Sequence, residues 1–171
     1  LHKEYYTQAD VAYWLHNIIR EMTAHNWRPD YIVGIGRGGL VPATMLSHYM
    51  NIPLQTLDVS LRDSRTGPVS NCGMAEDAYG RAGSVFQRKN ILIVDDINDT
   101  GATMLWIKND WPALCMPNDP AWEDIWHSNV RFAVMVNNQA SNFKDADYVG
   151  LTINKLEKDI WCVFPWEEWW R

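Results

Sequence analysis

Four consecutive apolar residues, Ile91-Leu92-Ile93-Val94, run directly into Asp95 and Asp96. A strand that is apolar at every position has no side to give to water, so it has to be covered on both faces. A parallel sheet between two layers of helices meets that demand, and no other feature constrains the fold as tightly. The remaining segments supply matching parts. Residues 31–35 read as a second buried strand, and 52–59, 130–136 and 148–153 as further strands. Over residues 8–25, Val11, Trp14, Leu15, Ile18, Ile19 and Met22 share one helical face, and Thr7 with Asp10 forms a capping signal. Residues 40–46 suit a short helix with Pro42 in its first turn, and Met104 to Lys108 another. Residues 109–129, with Pro112, Pro117 and Pro120, read as a long connection carrying one short helix. Residues 61–84 have no period, and a loop of that length is usually functional or mobile. The expectation is an α/β fold, a parallel sheet flanked by helices, in a single domain over 1–171 with ligands at the carboxyl ends of the strands.

Composition narrows the function. The 171 residues carry a formal net charge of -6, which argues against nucleic acid or an anionic membrane surface as partner. A small polyanion is still compatible, because one arginine, a metal ion and helix N-termini hold phosphate locally. No apolar run approaches the ~20 residues of a membrane helix, and no signal peptide is visible. Cys72, Cys115 and Cys162 show no CxxC spacing, which suits unpaired thiols in a reduced cytoplasmic protein. Ten tryptophans are many for this length. Most are expected as core or interface anchors, and their clustering towards the C-terminus suits a homo-oligomer.

Two glycine-bearing loops carry the chemistry. Gly34-Ile35-Gly36-Arg37-Gly38-Gly39 follows a strand and precedes a helix. Alone, that is also the dinucleotide-binding pattern, with Asp58 near the distance for a ribose-binding acid, so a dehydrogenase competes. The second loop is more specific. Asp95 and Asp96 are neighbouring carboxylates that repel unless a cation or hydroxyl donors stabilise them, and a metal-bound sugar diol supplies both. Asp99-Thr100-Gly101-Ala102-Thr103 then opens a helix, where free backbone N–H groups and two hydroxyls make a cup for phosphate. A nicotinamide site has no use for this acidic loop.

The stretch from Ile91 to Thr103 resembles the phosphoribosyl pyrophosphate (PRPP) signature of type I phosphoribosyltransferases. Arg37-Gly38-Gly39-Leu40-Val41-Pro42 resembles their pyrophosphate loop, and Asp159 to Trp166 the small C-terminal base-binding hood of the xanthine–guanine (6-oxopurine) branch. The resemblance implies a magnesium-dependent enzyme that binds PRPP and a nucleobase. Arg37, Gly38 and Gly39 would hold pyrophosphate. Asp96, with Asp95, would bind Mg2+ or the ribose hydroxyls. Thr100, Gly101, Ala102 and Thr103 would cradle the 5′-phosphate. Asp99 would act as general acid or base at the purine, Trp161 would stack on the base, and Cys162 would meet it through its backbone. The family usually has a lysine at the base's 6-oxo group. Asn138 stands at that position, which leaves the base open. The mobile loop has Ser60-Leu61 where the family has a Ser-Tyr pair, and none of Arg62, Arg65, Arg81 or Arg88 can be matched to its catalytic-loop residue. A non-catalytic sensor of PRPP or nucleotide on the same fold is the alternative.

Overall fold

The computed structural model describes residues 1–59 and 70–171. A central sheet is built from β2 (Tyr31–Ile35), β3 (Leu54–Leu57), β4 (Ile91–Asn98), β5 (Val130–Asn138) and β6 (Tyr148–Ile153). All neighbours pair in parallel, in the order β3-β2-β4-β5-β6. As expected of a strand without a polar face, Ile91 to Val94 are fully buried. Helices α1 (Gln8–Ala24) and α2 (Gly36–Met50) cover one face through Val11, Ile18, Ala43 and Leu46, packed on Ile32, Leu92, Val94 and Met135. Helices α3 (Ser70–Tyr79) and α4 (Ala102–Leu114) cover the other through Met74, Ala78, Ile107 and Trp111, packed on Val33, Ile93, Phe132 and Val134. Alternate strand residues thus feed two separate cores.

Order in the sheet matters for function. The chain leaves β2 to one side for β3 and returns to its other side for β4, so the two loops that follow β2 and β4 open at a topological switch point. In dinucleotide-binding sheets the fourth strand, not the third, lies beside the first. The dehydrogenase reading is not supported by this order.

Several boundaries differ from the sequence reading, each for a physical reason. The Thr7–Asp10 capping box forms, and α1 ends at Ala24. Helix α2 begins at Gly36 rather than Leu40, so the glycine loop is itself the first turn, and Pro42 lies within the helix. The strand expected over 52–59 is confined to Leu54–Leu57. Strand β4 does not stop at Val94 but continues through both aspartates to Asn98, because β5 pairs with it all the way. Helix α4 passes Lys108 and Pro112 to reach Leu114, since Trp111 in its last turns is fully buried. Part of the segment expected to lack structure forms α3 and the 3-10 turn Arg81–Gly83, and a second 3-10 turn, Val85–Gln87, follows it. The Ser60-Leu61 pair, Arg62 and Arg65 lie outside the described residues. Trp14, Trp27, Trp111 and Trp122 are buried, whereas Trp161, Trp169 and Trp170 are exposed.

A second, two-stranded parallel sheet joins β1 (His2–Tyr5) to β7 (Ile160–Val163), His2 opposite Ile160 and Tyr5 opposite Val163. It ties the start of the chain to the C-terminal hood. No helix of the described residues is long and apolar enough to cross a membrane.

Helix α3 is fixed by one buried acid. The Tyr31 hydroxyl donates to Asp77 Oδ2 at 2.9 Å, and Arg81 and Lys89 reach Asp77 Oδ1 at 3.3 and 3.7 Å. Asp77→Ala leaves the Tyr31 hydroxyl buried without its acceptor. Urea unfolding is expected to show a loss of about 1–3 kcal/mol.

Candidate active site

The carboxyl ends of β2 and β4 bring three elements together. The ladder between them ends at Gly34 opposite Val94. Beyond it, the first turn of α2 lies directly on β4. A Cβ on Gly39 would collide with the Val94 carbonyl oxygen, and one on Gly38 with the Asp96 carboxylate. Only glycine allows the N-terminus of α2 to approach this closely. Arg37, in the same turn, is exposed and has no ion pair among the described residues.

Asp95 and Asp96 sit under that turn. Asp95 Oδ1 accepts from the Asp96 N–H at 2.8 Å, and Asp96 Oδ1 from the Ile97 N–H at 2.7 Å. Burial pushes the Asp95 carboxyl well above the usual carboxylate range, and the neighbouring Asp96 charge raises it further. Burial raises Asp96 as well, against backbone N–H groups that pull it down. This uncompensated pair fits a hard divalent cation. No three His, Cys, Asp or Glu side chains converge among the described residues. The protein can therefore offer one or two carboxylates and leave the other positions to substrate and water, which is how Mg2+ is usually held.

Past β4 the chain forms a cup. Gly101, at φ +89°, is the N-cap of α4. A Cβ there would meet Ser141 Oγ at 2.7 Å and Phe143 Cβ at 2.8 Å, so both its conformation and its surroundings require glycine. The first backbone N–H groups of α4 have no intrahelical partner; that of Ala102 donates to Thr100 Oγ1 at 3.3 Å, and Thr100, Gly101, Ala102 and Thr103 line the cup. The cup is braced from the β5–β6 side. Asn98 donates to Asn137 Oδ1 and the Phe143 carbonyl, Ser141 Oγ donates to Asn98 Oδ1, and the Asn142 N–H donates to the Thr100 carbonyl.

Asp99 lies at the rim, where three segments meet. Asn138 Nδ2 donates to the Asp99 carbonyl at 3.1 Å and to Oδ1 at 3.3 Å. Lys155 Nζ lies 3.0 Å from Asp99 Oδ2. Asn138, expected from the resemblance at the base's 6-oxo group, lies beside Asp99 with its amide spent within the protein. Lys155 escaped the sequence reading. It stands in a polar stretch, Asn154 to Lys158, that reads as an ordinary solvated turn.

Trp161, 52% exposed, borders a cleft of about 690 Å³ together with Arg37, Gly38, Asp96, Trp166, Glu167, Glu168 and Trp170. Cys162 is buried next to the Tyr6 hydroxyl, with its backbone opposite Glu4 in the hood ladder. Glu167 was also not legible in advance. Its carboxyl is raised by burial, and it is close enough to Asp96 and Arg37 to be raised by one and lowered by the other.

The phosphoribosyl transferase domain model matches residues 2–169. The chain belongs to the phosphoribosyltransferase family. Among curated relatives, the hypoxanthine-guanine phosphoribosyltransferase of Schizosaccharomyces pombe is 26% identical over 186 aligned positions, covering 91% of this chain and 88% of the relative. The xanthine-guanine phosphoribosyltransferase of Cereibacter sphaeroides is 27% identical, with 82% and 70% covered. Among solved structures, the purine phosphoribosyltransferase of Pyrococcus horikoshii Ot3 aligns with a TM-score of 0.69 at 27% identity, over 98% of this chain and 96% of that one. The parallel sheet flanked by helices is therefore the family's fold.

The buried acid pair yields a stability prediction. Folding raises the Asp95 pKa above its unfolded value, so the folded protein is penalised once pH exceeds roughly 4. Asp95→Asn removes that penalty. In metal-free buffer at pH 7 it is expected to stabilise the protein, with the gain vanishing as pH falls below about 4. Thermal unfolding at both pH values checks this.

Proposed function

We propose that this enzyme transfers the 5-phosphoribosyl group of PRPP to a 6-oxopurine (guanine, xanthine or hypoxanthine), releasing pyrophosphate, in cytoplasmic nucleotide salvage. One observation carries the reading: two glycine-opened helix N-termini, of α2 and α4, flank a desolvated carboxylate pair at the switch point of a phosphoribosyltransferase sheet. PRPP has a phosphate at one end, a diphosphate at the other and a diol between them. In this reading Thr100, Gly101, Ala102 and Thr103 hold the 5′-phosphate. Arg37, Gly38 and Gly39 hold the pyrophosphate, and Asp95 and Asp96 face the ribose hydroxyls and hold Mg2+. When bound, the ion offsets charge on the pyrophosphate oxygens. The purine names of the relatives support the choice of base.

The bond from the anomeric carbon to pyrophosphate breaks as the bond to a ring nitrogen of the base forms, and positive charge builds on the sugar, as in glycoside cleavage. Asp95 and Asp96 supply the negative field beneath it. Arg37 accompanies the leaving pyrophosphate. Asp99 takes the proton that the base nitrogen sheds. Trp161 provides the stacking face and Cys162 the backbone edge of the hood, while Asn138 fixes Asp99. Trp169 and Trp170, 75% and 69% exposed, support a homo-oligomer as the working form.

With PRPP, Mg2+ and guanine, Asp99→Ala is expected to lower kcat about 10²–10⁴-fold while PRPP still binds, as read by pyrophosphate release and calorimetry. Full activity in this variant would contradict the assignment. Tight PRPP binding without turnover of any purine by the wild type would favour a non-catalytic sensor.

A further inference from the structure

The base end of the site needs a group that distinguishes one base from another, and Asn138 has nothing left to offer. A side-chain amide has two donor hydrogens and an oxygen with two lone pairs. In Asn138 the nitrogen serves the Asp99 carbonyl and Asp99 Oδ1. The oxygen accepts from the Ala140 N–H and the Lys155 N–H, each at 3.1 Å. The residue is also buried, at 6% exposure.

Those same bonds place a different group. Lys155 comes from the turn between β6 and β7. Its backbone N–H is pinned to Asn138, which fixes where its side chain starts. Its ammonium ends 3.0 Å from Asp99 Oδ2, with the side chain only 20% exposed. Lysine side chains usually keep their charge in water, so a largely covered one held on a single carboxylate is a placed group rather than a solvated one. The hood lies alongside. Cys162, next to Trp161, is close enough for Lys155 and Asp99 to act with opposite sign on its thiol.

Asp99 is 41% exposed at its side chain and lines the cup between β4 and α4, so the pair is open to a ligand seated there. It presents a carboxylate oxygen that only accepts hydrogen bonds, next to an ammonium that only donates. One ammonium hydrogen goes to Asp99 and two are left. A ligand edge that complements the pair has an N–H beside a carbonyl oxygen. An edge with an amino group in place of the carbonyl would set N–H against N–H and leave a charged donor unpaired.

We propose that Lys155 is the specificity-determining residue of this enzyme, reading a carbonyl oxygen on the base next to the nitrogen that faces Asp99, and so selecting oxopurines against aminopurines. This rests on the phosphoribosyltransfer reading above and names the residue that selects the base in the same site. It also moves the recognition cation from the end of β5, where the sequence has Asn138, to the turn that enters the hood.

The test compares wild type, Lys155→Gln and Lys155→Arg on two readouts. The first is kcat/KM for guanine, hypoxanthine and adenine at saturating PRPP. The second is the calorimetric Kd of GMP and AMP, which needs no turnover. In Lys155→Gln, kcat/KM for the oxopurines should fall about 10- to 100-fold, the loss expected for a hydrogen bond to a charged group. The preference for GMP over AMP should shrink by a similar factor, the KM for PRPP should stay within about twofold, and Lys155→Arg should recover part of the preference. Equal losses for all bases and both nucleotides, or an unchanged preference, would overturn the role of Lys155 alone. Wild-type protein that makes no nucleotide from any base, and binds GMP no better than AMP, would take down the function and this inference together.

Discussion

The first turn of α2 rests on the backbone of β4, and the site exists because of that approach. Two glycines, Gly38 and Gly39, remove the side chains that would otherwise separate helix from strand. The N-terminus of α2 is thereby brought against Asp95 and Asp96, with Arg37 on the same cleft as Asp96, where the parallel sheet changes direction. The same closeness excludes water from the two acids, which raises both of them. A buried pair of like charges costs stability in the free protein. In the proposed reading a cation and a diol compensate it, so what weakens the empty fold is what the ligand would use.

Around this contact, each other element holds one component in place. The buried Asn98, Ser141 and Phe143 brace the cup at the start of α4 from the β5–β6 side. Asn138 links the ends of β4 and β5 to the turn before β7 by hydrogen bonds alone. The β1–β7 ladder carries Trp161 to the rim of the cleft and ties it to the first residues of the chain. The end of the site proposed to take the base is thus assembled from segments far apart in sequence.

That assembly explains what the sequence could reveal. The run from Ile91 to Val94 disclosed the covered sheet because a strand without a polar face has few alternatives. The loops around Gly38 and Gly101 were legible because glycine at a strand-to-helix junction signals close approach. Residues whose role depends on distant partners were not. Lys155 lies in a polar turn with no local signature, and its position is set by Asn138, a residue 17 places earlier. Glu167 enters the cleft from the turn after β7, and β7 is paired to β1, four mostly exposed residues that resemble a frayed end. The extent of α4 was hidden for another reason. Burial of Trp111 outweighs the proline that follows it.

The central claim is that this site joins a base to the sugar of PRPP. Mass spectrometry of the products formed from PRPP, Mg2+ and guanine, xanthine, hypoxanthine, adenine, uracil or orotate tests it most directly. The account predicts a purine nucleoside monophosphate from at least one oxopurine, pyrophosphate in equal amount, and little product from adenine or the pyrimidines. Nucleotide formed only from a pyrimidine or from adenine, or none from any base while PRPP binds tightly, would contradict it.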